Sequence, residues 1–208
     1  MTDVSAQPER QPVSGGRSRR DRIGAAEHAL LGLIAVTERA DHAGQGVHGY
    51  DLGRRFNDGP LAEIIRLEPG MLYHYLKKLG KAGLIATSIE PQSTRPDRQD
   101  HTLTPAGWAE LEQWLETPVH ATREIRLEFL VKLYFARQLD AGRARALVRA
   151  QRAVIADLLA SLVGQRDALD PERTDADGGI RRSVLDLRVA QTDAVLGWLD
   201  ALPEASPN

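Results

Sequence analysis

Apolar residues recur at helical spacing from position 23 onward. Ala26, Ala29, Leu30, Leu33, Ile34 and Thr37 line one stripe, and a polar, glycine-bearing run over 41–46 ends it, which predicts a first helix and its loop. A second short helix fits 48–56 and is stopped by Asn57-Asp58-Gly59-Pro60, whose members favour turns for separate reasons. The stretch 61–67 fits a small helix and a strand equally well. A third helix is predicted over 69–81, because Pro69 suits a first helical position and Leu72, Leu76 and Leu79 repeat at four and three, up to a stop near Gly83. The period then changes. Ile85, Thr87 and Ile89 alternate, a polar run follows over 91–98, and His101 and Leu103 lie on a second strand, which together predict a hairpin with a long tip. Thr104 followed by Pro105 supplies an N-cap hydroxyl and a first-turn proline for a fourth helix reaching about Leu115.

Three helices followed by a β-hairpin is the order of a winged helix-turn-helix. Beyond it the pattern is helical throughout. The segment 125–137 is apolar nearly all round, as a core helix is, and 144–163 places Leu147, Gln151, Val154, Leu158 and Leu162 on one stripe. A break over 170–179 precedes a last helix in which Ile180, Val184, Leu187, Gln191, Val195, Trp198 and Leu202 recur at spacings of four and three, a seam that calls for a partner helix. The fold class expected is therefore mainly α with a small β-hairpin wing. It comprises a flexible basic arm (1–22), a winged helix-turn-helix DNA-binding domain (23–117) and a C-terminal helical dimerisation domain (118–208), whose dimer contact would run through Val184, Leu187, Gln191, Val195 and Trp198.

Composition changes this picture little. With 208 residues, 42% of them hydrophobic, the chain can bury a core of one or two small domains. Lys+Arg 27 against Asp+Glu 29 gives a net charge of -2, so bulk charge does not announce nucleic acid and its local distribution has to be read. The absence of cysteine excludes disulfides, thiolate zinc sites and cysteine nucleophiles. Arg19-Arg20 ahead of an apolar stretch suggests a twin-arginine export signal, but Glu27 and His28 interrupt that stretch and no small-residue cleavage site follows. No run is long enough for a membrane span. The expectation is a cytoplasmic protein with no membrane partner.

On a helix over 69–81, the face opposite the leucines presents Tyr73, His74, Lys77, Lys78 and Lys81, a mixture of cations and an aromatic donor suited to phosphates and base edges. On an isolated helix such lysines are a solvated face, and only the hairpin that follows gives them another meaning. Arg95 and Arg98 sit at the hairpin tip, where a wing reaches a phosphate strand and a polar turn would equally place them. In the arm, Arg17, Arg19, Arg20 and Arg22 against Asp21 form a further basic cluster, readable as a DNA contact or as a solvated tail. Trp108 and Trp114 fit a buried core or interface, and alternatively an effector pocket between protomers that would stack a small aromatic ligand.

Enzymatic chemistry has no comparable support. Gly44-Gln45-Gly46-Val47-His48-Gly49 matches G-x-G-x-x-G but lacks the preceding strand and the βαβ setting of a dinucleotide site. Asp41, His42 and His48 are irregularly spaced for a metal, and no nucleophile elbow or phosphate loop occurs. Neither an enzyme nor a cofactor is expected.

Several short motifs then resemble one family. Pro69-Gly70-Met71-Leu72-Tyr73, continuing to Leu84-Ile85, is similar to the recognition helix of PadR regulators. His48-Gly49-Tyr50-Asp51-Leu52 resembles that family's second helix, Leu103-Thr104-Pro105-Ala106-Gly107 its post-wing motif, and the run 126–133 the opening of its C-terminal helical domain. The resemblance implies a homodimer that binds double-stranded DNA, usually as a repressor released by a small molecule. It puts Met71, Tyr73, His74, Lys77 and Lys78 where family members contact DNA. Three features depart from the pattern: Glu68 stands where a serine or threonine cap is common, His101 replaces a frequent wing tyrosine, and the first interhelical loop is long. The rival expectations are a helical interaction protein whose winged domain binds protein, favoured by the acidic balance, and a ligand-binding enzyme using His42 or His48.

Overall fold

The computed structural model describes residues 23–40, 46–90, 98–169 and 176–203. The arm arginines, Asp41, His42 and Arg95 lie outside the described residues. The order is α1 (Ala25–Ala40), β1 (Val47–His48), α2 (Gly49–Asp58), α3 (Leu61–Ile64), α4 (Pro69–Lys81), β2 (Ile85–Glu90), β3 (Arg98–Leu103) and α5 (Pro105–Glu116). Then come α6 (Thr122–Glu124), a π-helical turn (Ile125–Phe129), α7 (Leu130–Leu139), α8 (Ala141–Asp167) and α9 (Ala176–Asp200). No helix among the described residues is long and apolar enough to cross a membrane.

The stretch left ambiguous in the sequence forms the short helix α3, with Leu61 fully buried. The hairpin is present in the register Ile85↔Leu103 to Glu90↔Arg98, and it gains a third strand, because β1 pairs antiparallel with β3 through Val47↔His101 and His48↔Asp100. Two residues of strand are too few to leave a period in the sequence.

Local chemistry sets the boundaries around α4. It ends in a complete Schellman motif: Gly83 N–H donates to Gly80 O and Leu84 N–H to Leu79 O, both at 3.0 Å, with Gly83 at φ 70°. After the wing, Thr104 accepts the Gly107 amide at 3.0 Å and donates to Gly83 O at 2.7 Å. A Cβ on Gly107 would lie 2.0 Å from Leu84 O, so α5 can lie against the end of α4 only with glycine there.

Two apolar cores result. The first gathers Leu30, Leu31, Ile34, Leu52, Phe56, Leu72, Leu76, Leu79 and Leu111 with Val131 and Phe135; the second gathers Phe129, Leu133, Ala136, Leu147, Ile155 and Leu199. Val131 and Phe135 therefore serve one core, Phe129, Leu133 and Ala136 the other. This sharing is why the segment is apolar nearly all round. On α8 the buried stripe runs through Ala144, Leu147, Gln151, Ile155 and Leu162, so Ile155 takes the inward place expected for Val154, which is half-buried. Gln151 stays inside because its side-chain amide pairs with both backbone groups of Val119, at 2.8 and 2.7 Å.

Candidate nucleic-acid interface

Helix α4 packs between α1, α2 and β2. Burial of Leu72, Leu76 and Leu79 turns the opposite side outward: Met71, Tyr73, His74, Lys77 and Lys81 are all exposed, Tyr73 to 59%. Glu68 is the N-cap and makes no side-chain bond to the first turn, so the first amides of α4 have no capping side chain. The wing follows on the same sheet, with Arg98 opening β3 opposite Glu90. Tyr50, 68% exposed, stands at the start of α2, where His48 Nδ1 accepts the Tyr50 amide at 3.4 Å and caps the helix.

Lys78 is placed differently from its neighbours. Its Nζ lies 2.6 Å from Glu27 Oε1 on α1, and its side chain is half-buried. In the sequence Lys78 shares a helix face with Lys77 and Lys81, and Glu27 shows only as an interruption of an apolar run. That interruption is the one local sign of the pair.

His101 lies on β3, as its alternation with Leu103 predicts. It is buried at the centre of the sheet, where its Nδ1 lies 3.0 Å from Thr87 Oγ1, and burial lowers its pKa, aided by His48 and opposed by Asp100.

Trp114 belongs to the first core and Trp108 packs against it. Trp114 is buried, stacked on His28 with centroids 4.3 Å apart, and donates its indole N–H to Glu128 at 3.0 Å. Trp108 is half-buried against the first core with the Arg39 guanidinium 5.5 Å from its ring centre. Lys132 completes this interior cluster: it is buried, with Nζ 3.0 Å from Glu128, 2.6 Å from Thr117 O and 5.0 Å from the Trp114 ring centre. Burial lowers the pKa of His28 and of Lys132 against the pull of nearby carboxylates. A cavity of about 570 Å³ lies elsewhere, among Leu33 and Thr37 of α1, Asp51 and Arg55 of α2, and Tyr134 and Gln138 of α7. Among the described residues no group of three His, Asp or Glu side chains is placed to hold a metal ion.

On α9 the stripe facing α8 is Leu185, Thr192 and Leu199, with Val189 and Leu196 half-buried between them. The seam read from the sequence lies one position earlier on the helix and faces outward. Ile180 is 62% exposed, Val184 47% and Leu187 58%, and Gln191 is exposed beside them. Val195 and Trp198 are partly covered by the same chain, Trp198 meeting Phe129 edge-on at 6.0 Å.

Residues 42–113 match the transcriptional regulator PadR-like family, and residues 125–205 match the virulence activator alpha C-terminal family. The chain is 25% identical over 180 residues to the negative transcriptional regulator PadR of Bacillus subtilis, covering 85% of this chain and 94% of that one. It is 26% identical over 192 residues to the probable transcriptional regulator Rv1176c of Mycobacterium tuberculosis, covering 87% and 97%. Among solved structures, Bacillus subtilis PadR in complex with operator DNA is 26% identical and covers 86% of this chain and 96% of its own, with a TM-score of 0.41. The same protein in complex with p-coumaric acid is 24% identical, with the same coverages and a TM-score of 0.37.

Proposed function

The chain belongs to the PadR-like family of transcriptional regulators, which are not enzymes, and from that premise we propose that it is a ligand-responsive repressor acting as a homodimer on a pseudo-palindromic operator. The observation that carries the reading is the outward face of α4, where Tyr73, His74, Lys77 and Lys81 stand together while the leucines of the same helix are buried. In this reading α4 enters the major groove. Its N-terminal amides and Tyr73 meet phosphate, His74 and Met71 lie towards base edges, and Lys77 and Lys81 neutralise the backbone. The wing meets the adjoining strand or minor groove, the contact for which its sequence offers Arg95 and Arg98. The outward apolar row of α9 pairs with its copy and sets two recognition helices about 34 Å apart, one helical turn of DNA. The cavity bridging α2 and α7 supports the ligand response, since an occupant there touches both the helix-turn-helix and the C-terminal helices.

A titration of the full chain against duplex DNA from upstream of its own gene, with unrelated DNA as control, at two salt concentrations, tests the reading. Tighter binding to the upstream duplex, weakening steeply with salt, is expected. Equal, salt-insensitive or absent binding would overturn it and favour a winged domain that binds protein.

A further inference from the structure

Helix α1 holds both parts of the DNA-reading surface through carboxylates. Near its start, Glu27 has a side chain only 7% exposed; one oxygen lies 2.6 Å from Lys78 Nζ on α4, and the other accepts the Gly24 amide at 2.8 Å. Near its end, Glu38 Oε1 accepts the backbone amide of Leu103 at 2.7 Å, where β3 leaves the wing. Between them Leu30, Leu31 and Ile34 are fully buried, and Arg39 ties the helix to α7 through Leu139 O at 2.7 Å. Moving Lys78 onto a DNA phosphate would strip a buried carboxylate of its cation, which is costly. Lys77 and Lys81 carry no such burden, for both are exposed.

We propose that Lys78 is a positioning residue and not a DNA contact: the Glu27–Lys78 pair, with the Glu38–Leu103 bond, makes α1 the strut that sets recognition helix and wing relative to each other. This rests on the DNA-binding reading above. The cationic face that α4 offers to DNA is then Lys77 and Lys81.

Glu27→Gln separates the strut from a simple electrostatic account, because the two predict opposite signs. Removing a negative charge beside a phosphate-binding helix tightens DNA binding if only the field matters, and loosens it if the pair aims the helix. The full chain is titrated with the upstream and unrelated duplexes at two salt concentrations, as wild type and as Glu27→Gln, Lys78→Met, their double variant, Lys78→Arg and Lys77→Met, with a thermal melt of each to correct for the folded fraction. For the upstream duplex, Glu27→Gln and Lys78→Met should each weaken binding by about three- to tenfold, within the range of coupling through packed elements. The double variant should be no worse than either single one, Lys78→Arg should retain affinity, and the salt slope should stay that of wild type. Lys77→Met should lower the slope by about one unit. A slope lowered equally by Lys78→Met, or unchanged or tighter binding by Glu27→Gln, overturns the strut while leaving DNA binding intact. A wild-type chain without salt-sensitive affinity overturns the DNA reading itself, and the strut's role with it.

Discussion

Helix α4 buries Leu72, Leu76 and Leu79 and turns Tyr73, His74, Lys77 and Lys81 to solvent, whereas α9 buries Leu185, Thr192 and Leu199 and turns Ile180, Val184 and Leu187 to solvent. Both helices have one stripe packed in the chain. They differ in what remains. A polar, cationic remainder is stable in water and needs no cover, so it is available to a ligand as highly charged as DNA. An apolar remainder is stabilised only when covered, by about 25 cal/mol for each Å² removed from water. An inward seam therefore says little about partners, and it is the chemistry of the outward face that suits the proposed nucleic-acid surface on α4 and the proposed protein surface on α9.

The largest effect is expected on α9. Val184→Asp with Leu187→Asp leaves the stripe facing α8 intact but places four charges in the two-fold seam of the proposed dimer. Sedimentation should show monomers at micromolar concentration, and operator affinity should fall at least about a hundredfold as the two half-sites uncouple. A dimer that survives this change, or truncation before Ile180, would break the comparison. Next is the joint between the two regions. Lys132→Ala removes the cation held by Glu128, Thr117 O and the Trp114 ring, and should cost about 3 kcal/mol in denaturant unfolding. A loss below about 0.5 kcal/mol would show that α7 does not depend on this cluster.

A smaller effect is expected on the α4 face itself. Lys77→Ala should weaken DNA binding about threefold and lower the salt slope by about one unit with any duplex, leaving the dimer unchanged. An unchanged slope would remove Lys77 from the phosphate contacts.

The smallest effect belongs to the interior shared by both regions. His28 and His101 have pKa values lowered from 6.5, in both cases chiefly by burial, so the unfolded chain binds their protons more readily than the folded one. Stability from these groups is present above the unfolded value and is lost as pH falls below about 6.5. The melting temperature should drop between pH 7.5 and 5.5. His28→Phe, which keeps the ring against Trp114 but cannot titrate, should lessen the drop; an identical pH dependence would exclude His28 as a contributor.

Much of this was legible along the chain, for identifiable reasons. The bounds of α4 were readable because proline opens the helix and glycine in the left-handed region closes it, both being local constraints. The winged order was readable because the hydrophobic period changes from helical to alternating at Ile85. The strand β1 was not, being two residues long and defined only by its partner β3. The roles of Lys78 and Trp114 were not legible either: a lysine reads as solvated and a tryptophan as core or pocket until the residue opposite is known, and Glu27 and His28 lie far away in sequence.

What the sequence alone determined is therefore the set of elements, their order and which face of each is apolar, since propensity, capping and periodicity act over a few residues. Tertiary structure decided which of two stripes on α9 packs inside the chain, which lysine of α4 is tied to α1, and that α7 serves two cores. Those depend on contacts between residues far apart in sequence, where burial makes an ion pair or a stack matter and no local period records it.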